Sequence, residues 1–175
     1  NTNCSYCYLN QFGDQTFYNR TAQAYPNALK NLDIFLKYLE RRKLAPPVIE
    51  IFGGDIFSHE KLYPDYFQRI FDFNKKSWRK ADVIVPTNST FLFDAEKTKS
   101  VQKLLTEGKK QGTRIGLSLS VDGKYSDNIS RPMANGRSYT DEFYDRMFSF
   151  ARYNNFSFHP MISKQAIHLW KKNFD

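Results

Sequence analysis

Four short apolar runs, each closed by a turn signal and separated by stretches of helical spacing, constrain this chain more than any other feature. Val48-Ile49-Glu50-Ile51-Phe52 closes on Gly53-Gly54, Val83-Ile84-Val85 runs into Pro86, Ile115 to Val121 ends at Asp122-Gly123, and Phe156 to Ile162 leads into Ser163-Lys164. Such runs predict strands over 48–52, 83–87, 115–121 and 156–162. Between them the period changes. Leu62, Tyr66, Phe67, Ile70 and Phe71 predict a helix over 61–74, and a second covers 94–111, with Asp94 as N-cap and Gly112 as its stop. After a polar loop containing Pro132 and Gly136, Thr140 or Asp141 starts a third helix through Phe143, Met147, Phe148 and Ala151. Leu29, Leu32, Phe35, Leu36 and Leu39 mark an earlier one over 27–42, and Ala166 to Phe174 begins a last one. Strands alternating with helices need crossover connections, which gives an α/β chain with a parallel sheet and outer helices. The order opens on a loop and helix and closes inside another helix. The expectation is a partial (β/α) barrel, one domain over 1–175, with its first strand and later barrel strands outside the chain.

That topology says where chemistry belongs. In parallel α/β sheets ligands bind beyond the carboxyl ends of the strands. Gly53-Gly54-Asp55, Thr87-Asn88-Ser89, Ser120-Val121-Asp122-Gly123 and Ser163-Lys164 all sit there. The opening segment NTNCSYCYLN precedes the first helix and so belongs to the same face, which brings Cys4 and Cys7 to the four strand ends.

Charge points less firmly to a function. The formal net charge is +8, with basic clusters at Arg41-Arg42-Lys43, Lys75-Lys76, Arg79-Lys80, Lys109-Lys110 and Lys171-Lys172. An RNA-binding module would use such charge with aromatic residues. Here the aromatic residues fall at core spacing, and most clusters fall at helix ends, where cations complement the helix dipole. No run approaches the roughly 20 apolar residues of a membrane span, so no membrane partner is expected. Two cysteines are too few for a disulfide framework, and a reducing, cytoplasmic compartment fits a CxxC pair best.

Two thiolates make half of a zinc or iron–sulfur site, which takes about four ligands. His59, His159 and His168 are the only histidines, and none has the spacing of a zinc finger. A thioredoxin-type pair does not fit the segments that follow. A cysteine immediately before Asn1 would extend the pattern to C-x-x-x-C-x-x-C.

In that form the chain resembles the radical S-adenosylmethionine enzymes, whose hallmark carries an aromatic residue before the last cysteine, as in Cys4-Ser5-Tyr6-Cys7. Three further stretches follow in the family's order. IEIFGGD resembles its GGE motif, VPTNST its T-N-G, and SLSVDG the S-L-D-G of peptide-modifying, sulfatase-maturase-like members. The resemblance covers essentially the whole chain. It implies that Cys4 and Cys7 are two of three cysteine ligands of a [4Fe–4S] cluster, whose open iron takes the amino and carboxylate groups of S-adenosylmethionine. It implies that Tyr6 packs beside the adenine, and that Gly53 and Gly54 let the chain approach the methionine amino group, with Asp55 as acceptor. Ser120 and Asn88 would face the methionyl and ribose groups, and Arg131 would pair with the methionine carboxylate. A reductant such as a flavodoxin or ferredoxin would supply an electron, and a 5′-deoxyadenosyl radical would abstract hydrogen from a peptide, protein, RNA or small-molecule substrate. No residue is assigned to the hydrogen abstraction itself. Asp55 stands where the family has glutamate, Ile56 where proline often follows, and Ser89 where T-N-G has glycine. The competing reading is a catalytically inactive or zinc-binding α/β domain acting as a binding module.

Overall fold

The computed structural model describes residues 2–7, 16–52, 54–161, 164 and 166–173, with side chains of the first helix from Asn27 onward. Its elements run α1 (Thr16–Arg41), β1 (Val48–Glu50), α2 (Tyr63–Lys76), β2 (Asp82–Thr87), α3 (Ala95–Lys110), β3 (Ile115–Ser120), α4 (Asp127–Ser130), α5 (Asp141–Asn154) and β4 (Ser157–His159). The strands form one sheet in the order β1-β2-β3-β4, and every neighbouring pair is parallel. The expected α/β class and parallel pairing are both present.

Sequential order with parallel pairing has a consequence for the layers. A right-handed crossover at each step places every connecting helix on the same face of the sheet. Burial follows that geometry. Ile49, Val83, Val85, Ile115, Leu117 and Leu119 alternate along their strands onto one face. There they share a single core with Leu32, Leu36 and Leu39 of α1, Phe67 and Ile70 of α2, Leu104 of α3 and Met147 of α5. The register aligns Ile49, Val83 and Ile115 in one row, and Glu50, Ile84 and Gly116 in the next. That second row faces the other way. Glu50 is exposed, Ile84 is 37% exposed, and Gly116, Ser118 and Ser120 are half-buried. The sheet is covered on one side.

Local signals set the boundaries. The Asp94 carboxylate accepts from the N–H groups of Glu96 and Lys97 and caps α3. The Thr140 hydroxyl accepts from Phe143 N–H and caps α5. Gly112 ends α3 at φ 71°, a left-handed conformation that costs glycine little. Arg41, Lys75-Lys76 and Lys109-Lys110 lie in the last turns of α1, α2 and α3, so these basic clusters complement helix ends.

Three segments depart from expectation, the first being α1, which begins at Thr16 instead of near residue 27. Residues 166–174 form no α-helix among the described residues but two 3-10 turns, Ile167–Leu169 and Lys171–Asn173, with Phe174 outside the described set. Only Ala166 is buried there, and a helix without an apolar face to bury gains little from propagating. Asn173 instead ties the segment to the end of β3, donating to Ser126 Oγ and Asp122 O and accepting from Tyr125 N–H. The polar loop after β3 also contains the single helical turn α4. The ends of the predicted strands fray, although Ile51 N–H still donates to Ile84 O at 2.9 Å. Ile162 and Ser163 lie outside the described residues.

Asn74, 1% exposed at the end of α2, joins three elements. Its amide donates to Ala81 O and Thr113 Oγ1 and accepts from Ala81 N–H, each at 2.9 Å. Asn74→Ala leaves Ala81 N–H and C=O buried without partners. It should lower the unfolding free energy in urea by about 1–3 kcal/mol at an unchanged slope, and a loss within error of zero would show that water replaces the amide.

Candidate active site

The cysteine segment is held against the strand ends by its backbone. Asn3 N–H donates to Pro132 O at 2.7 Å and Ser5 N–H to Ser130 O at 2.8 Å, while Thr2 pairs with Met133 in an antiparallel bridge. Cys7 N–H donates to Cys4 O at 3.0 Å and closes a turn with Ser5 and Tyr6 at its tip. Both thiols are half-buried and neither is in a disulfide. Cys4 Sγ lies 3.5 Å from Thr2 Oγ1, which also accepts from Asn88 Nδ2 at 3.3 Å. On the other side Tyr6 donates its hydroxyl to Asp122 Oδ2 at 2.7 Å, across 116 residues of sequence. Burial and that bond to Asp122 push the phenol pKa up, which keeps the donor protonated. The cysteine segment therefore reaches Asn88, just beyond β2, through Thr2, and the connection after β3 through the bond of Tyr6 to Asp122.

Asp55 extends the same cluster to β1. Its Oδ1 accepts from Phe57 N–H at 3.0 Å and starts the 3-10 turn Ile56–Ser58. Its Oδ2 accepts from the Thr87 hydroxyl at 2.8 Å and from Asn88 N–H at 2.9 Å. A carboxylate offers about four lone-pair sites, so among the described residues one acceptor position remains after these three bonds. The residue is half-buried overall, yet its carboxyl group is enclosed, and burial raises its pKa above the ordinary value of 3.8 while the three bonds oppose that rise. Asn88 is the hub: besides bonding Asp55 and Thr2, its side-chain oxygen accepts from Thr90 N–H and the Thr90 hydroxyl.

Arg131 is enclosed beside the strand ends. Its side chain is 1% exposed, and its guanidinium donates to Ser120 O, to Asn88 O at 3.3 Å and to Asp127 Oδ1 at 3.3 Å. It also lies 6.0 Å from the Tyr139 ring centre. It clasps the ends of β2 and β3 to α4. Burial opposes its charge more than any one neighbour favours it, and Asp127, Tyr139, Tyr6 and Cys4 together outweigh burial and hold the guanidinium charged. Asp127 Oδ1 also accepts from Asp122 N–H at 3.0 Å, and its Oδ2 accepts from the Tyr144 hydroxyl at 2.7 Å. Asp122 Oδ1 accepts from Met161 N–H at 2.9 Å. One buried carboxylate, Asp127, thus pairs with the guanidinium and is bonded in turn by the N–H of a second, Asp122.

Of the other expected site residues, Gly53 lies outside the described set. Gly54 is exposed, and a Cβ there would meet nothing within 4 Å, which leaves its surface open to a ligand. Ser120 is half-buried at the end of β3. Thr2, Asp122 and Asp127 belong to the cluster without having been picked out from the sequence as site residues. The D-G of Asp122-Gly123 was legible as a turn, whereas the remote partners of these side chains were not. Two buried hydroxyls at the cluster, Ser89 Oγ and Tyr139 Oη, have no hydrogen-bond partner among the described residues. Ser89 also has φ 65°, the left-handed conformation that glycine would occupy in T-N-G. Among the described residues no three His, Cys, Asp or Glu side chains are grouped to hold a metal, and no helix is long and apolar enough to cross a membrane.

Comparison with protein-family models, with curated protein sequences and with solved structures finds no match to this chain.

Two outcomes test this geometry. Ser89→Gly removes a left-handed serine and an orphaned hydroxyl, and should raise the unfolding free energy by about 1 kcal/mol, while Ser89→Val should lower it. No gain for glycine would show that the serine hydroxyl is bonded. For Asp55, the folded pKa lies above the unfolded one, so its protonated form favours folding. That contribution is full below 3.8 and is lost as pH rises through the folded value. The pH slope of stability in that range should flatten in Asp55→Asn, and an unchanged slope would assign it to other carboxylates.

Proposed function

We propose that this chain is the core of a radical S-adenosylmethionine enzyme, on the peptide- or protein-modifying side of that family, built on a partial (β/α) barrel. The observation that carries the proposal is the docking of the segment from Thr2 to Cys7 at the carboxyl ends of β2 and β3, through Asn88, which also bonds Asp55, and through Asp122. A one-sided parallel sheet in sequential strand order is the arrangement of barrels, since doubly wound sheets reverse their order and carry helices on both faces. It supports the barrel reading.

The donor set fits the cluster and cofactor in part. Cys4 and Cys7 are soft ligands on one turn, free of disulfides, and would hold two irons. Gly54 leaves an open approach, Asp55 retains one acceptor position, and the unpartnered Tyr139 hydroxyl is a buried donor at the same cluster. When bound, a [4Fe–4S] cluster supplies an electron to the sulfonium of S-adenosylmethionine, and the 5′-deoxyadenosyl radical so formed abstracts a substrate hydrogen. The protein's part is placement. Tyr6 and Asp122 fix the turn, Thr2 and Asn88 fix the Cys4 side, and Asp55 would accept from the methionine amino group. Ser120 and Asn88 would border the methionyl and ribose groups, and Arg131 holds the strand ends that carry them. The proposal includes a flavodoxin- or ferredoxin-like reductant and a reducing, cytoplasmic compartment.

Anaerobic reconstitution of the full-length protein tests the ligand role. Cys4→Ala and Cys7→Ala should each lose iron, sulfide and the broad visible absorbance of the cluster. Full iron and sulfide content in both variants would exclude it. Tyr139→Phe tests the fit separately, because removing an orphaned buried hydroxyl is neutral or favourable. It should leave the unloaded protein as stable or more so, and should reduce the stability gained on loading. A marked loss of stability before loading would show that the hydroxyl already has a partner.

A further inference from the structure

The amino ends of the strands carry a charge that the helix dipoles do not account for. In a parallel sheet with helical crossovers each connecting helix ends at that edge, opposite the carboxyl ends where the cysteine segment lies. The stretches 40–44, 72–82 and 107–114 therefore meet there, and they hold ten basic residues against four acidic ones. Cations complement a helix only within its last turn, which covers Arg41, Lys75, Lys76, Lys109 and Lys110. Arg42, Lys43, Arg79, Lys80 and Arg114 lie beyond the helices, and all five are exposed. We propose that this end of the molecule binds single-stranded nucleic acid, with Trp78 stacking on a base and the cations of the three helix ends holding backbone phosphates.

Hydrogen bonds join the three helix ends into one row. Trp78 Nε1–H donates to Lys43 O at 3.3 Å, which ties the connection after α2 to the end of α1. Two residues on, Lys80 Nζ donates to Gln111 O at 3.4 Å and packs over Gly112, which ties the same connection to the end of α3. With neighbouring helices packed about 8–10 Å apart, the row is about 20 Å long. Of its ten cations only Lys75 and Arg114 are in ion pairs among the described residues, with Asp72 and Asp82. A run of phosphates supplies the matching charge at regular spacing.

Trp78 selects the class of polyanion. It is 76% exposed in the middle of that row. Its one polar atom is committed to Lys43 O, so what it offers a ligand is the face of the indole. Unpaired bases stack on such a face whatever their sequence, whereas a duplex keeps its bases inside. An acidic peptide would match the cations without using the ring. An anionic membrane takes an aromatic side chain together with a broad apolar face. Here Leu44 is the only other large apolar side chain exposed in the three stretches.

The test uses the full-length protein without added iron, so its result does not depend on the cluster chemistry proposed above. A labelled oligouridylate of about 12 nucleotides, and a labelled RNA duplex of the same length, are titrated by fluorescence anisotropy. The oligouridylate should bind saturably, with a micromolar Kd at low salt. Lys43→Ala and Arg79→Ala should each weaken it and reduce the slope of log affinity against log salt by about 0.7. Trp78→Ala should weaken the single strand at least about fivefold and leave duplex affinity unchanged. Trp78→Phe, which keeps a ring without the N–H, should retain most of the wild-type affinity. All three side chains are exposed, so the thermal transitions of the variants should stay in place. Absence of saturable oligouridylate binding would overturn the proposal, as would equal weakening of single strand and duplex by Trp78→Ala. Polyglutamate that competes as well as the oligouridylate, charge for charge, would overturn it in favour of an acidic protein partner. Binding to phosphatidylserine vesicles but not to the oligouridylate would overturn it in favour of a membrane.

Discussion

The structure depends on one buried cation. Arg131 reaches the carbonyls of Ser120 and Asn88, the last residue of β3 and the residue just beyond β2, and it does so from a loop whose carboxylate Asp127 lies four residues earlier. Removing the guanidinium would leave a carboxylate and two carbonyls buried without their donor. Breaking a buried pair in that way typically costs about 3–5 kcal/mol. The penalty explains why the loop after β3 folds inward over the sheet end. Once there, it presents Ser130, Pro132 and Met133 as the backbone edge on which the cysteine segment docks.

The same cluster sets the electrostatics around the thiols. Asp127 pairs with the guanidinium, the Asp122 N–H donates to Asp127, and both carboxylates are almost fully buried. Burial raises the pKa of Asp127, with the Arg131 charge opposing it and Asp122 adding to it. Hydrogen bonds from Tyr6, Tyr144 and Met161 N–H make the arrangement tolerable by satisfying the carboxylate oxygens.

Periodicity made the scaffold legible and left the polar cluster hidden. Short apolar runs such as Val83-Ile84-Val85, closed by turn residues and separated by helical spacing, are local properties, and they foretold four parallel strands in order. Asp94 and Thr140 were readable as caps because their partners lie two or three residues away. Arg131 was readable only as a cation near a strand end. Its partners are 4, 11 and 43 residues distant, and no local pattern tells an arginine that faces a ligand from one that closes a fold. The tail from Ala166 to Asn173 misled for the opposite reason. Its residues suit a helix, but little apolar surface is buried there, and Asn173 holds it through side-chain bonds to the end of β3. The strand-end motifs converge as topology requires, and that convergence locates a site without identifying its ligand.

The central claim is that the Cys4–Cys7 turn presents an iron–sulfur cluster to S-adenosylmethionine at the ends of β1, β2 and β3. Mössbauer spectra of the reconstituted full-length protein, recorded before and after adding S-adenosylmethionine, address it most directly. The account predicts a [4Fe–4S] signal in which a single iron site changes its isomer shift on addition, as expected when the one iron without a cysteine gains amino and carboxylate ligands. A protein that assembles a cluster whose spectrum is indifferent to S-adenosylmethionine, or that binds zinc in place of iron, would contradict it.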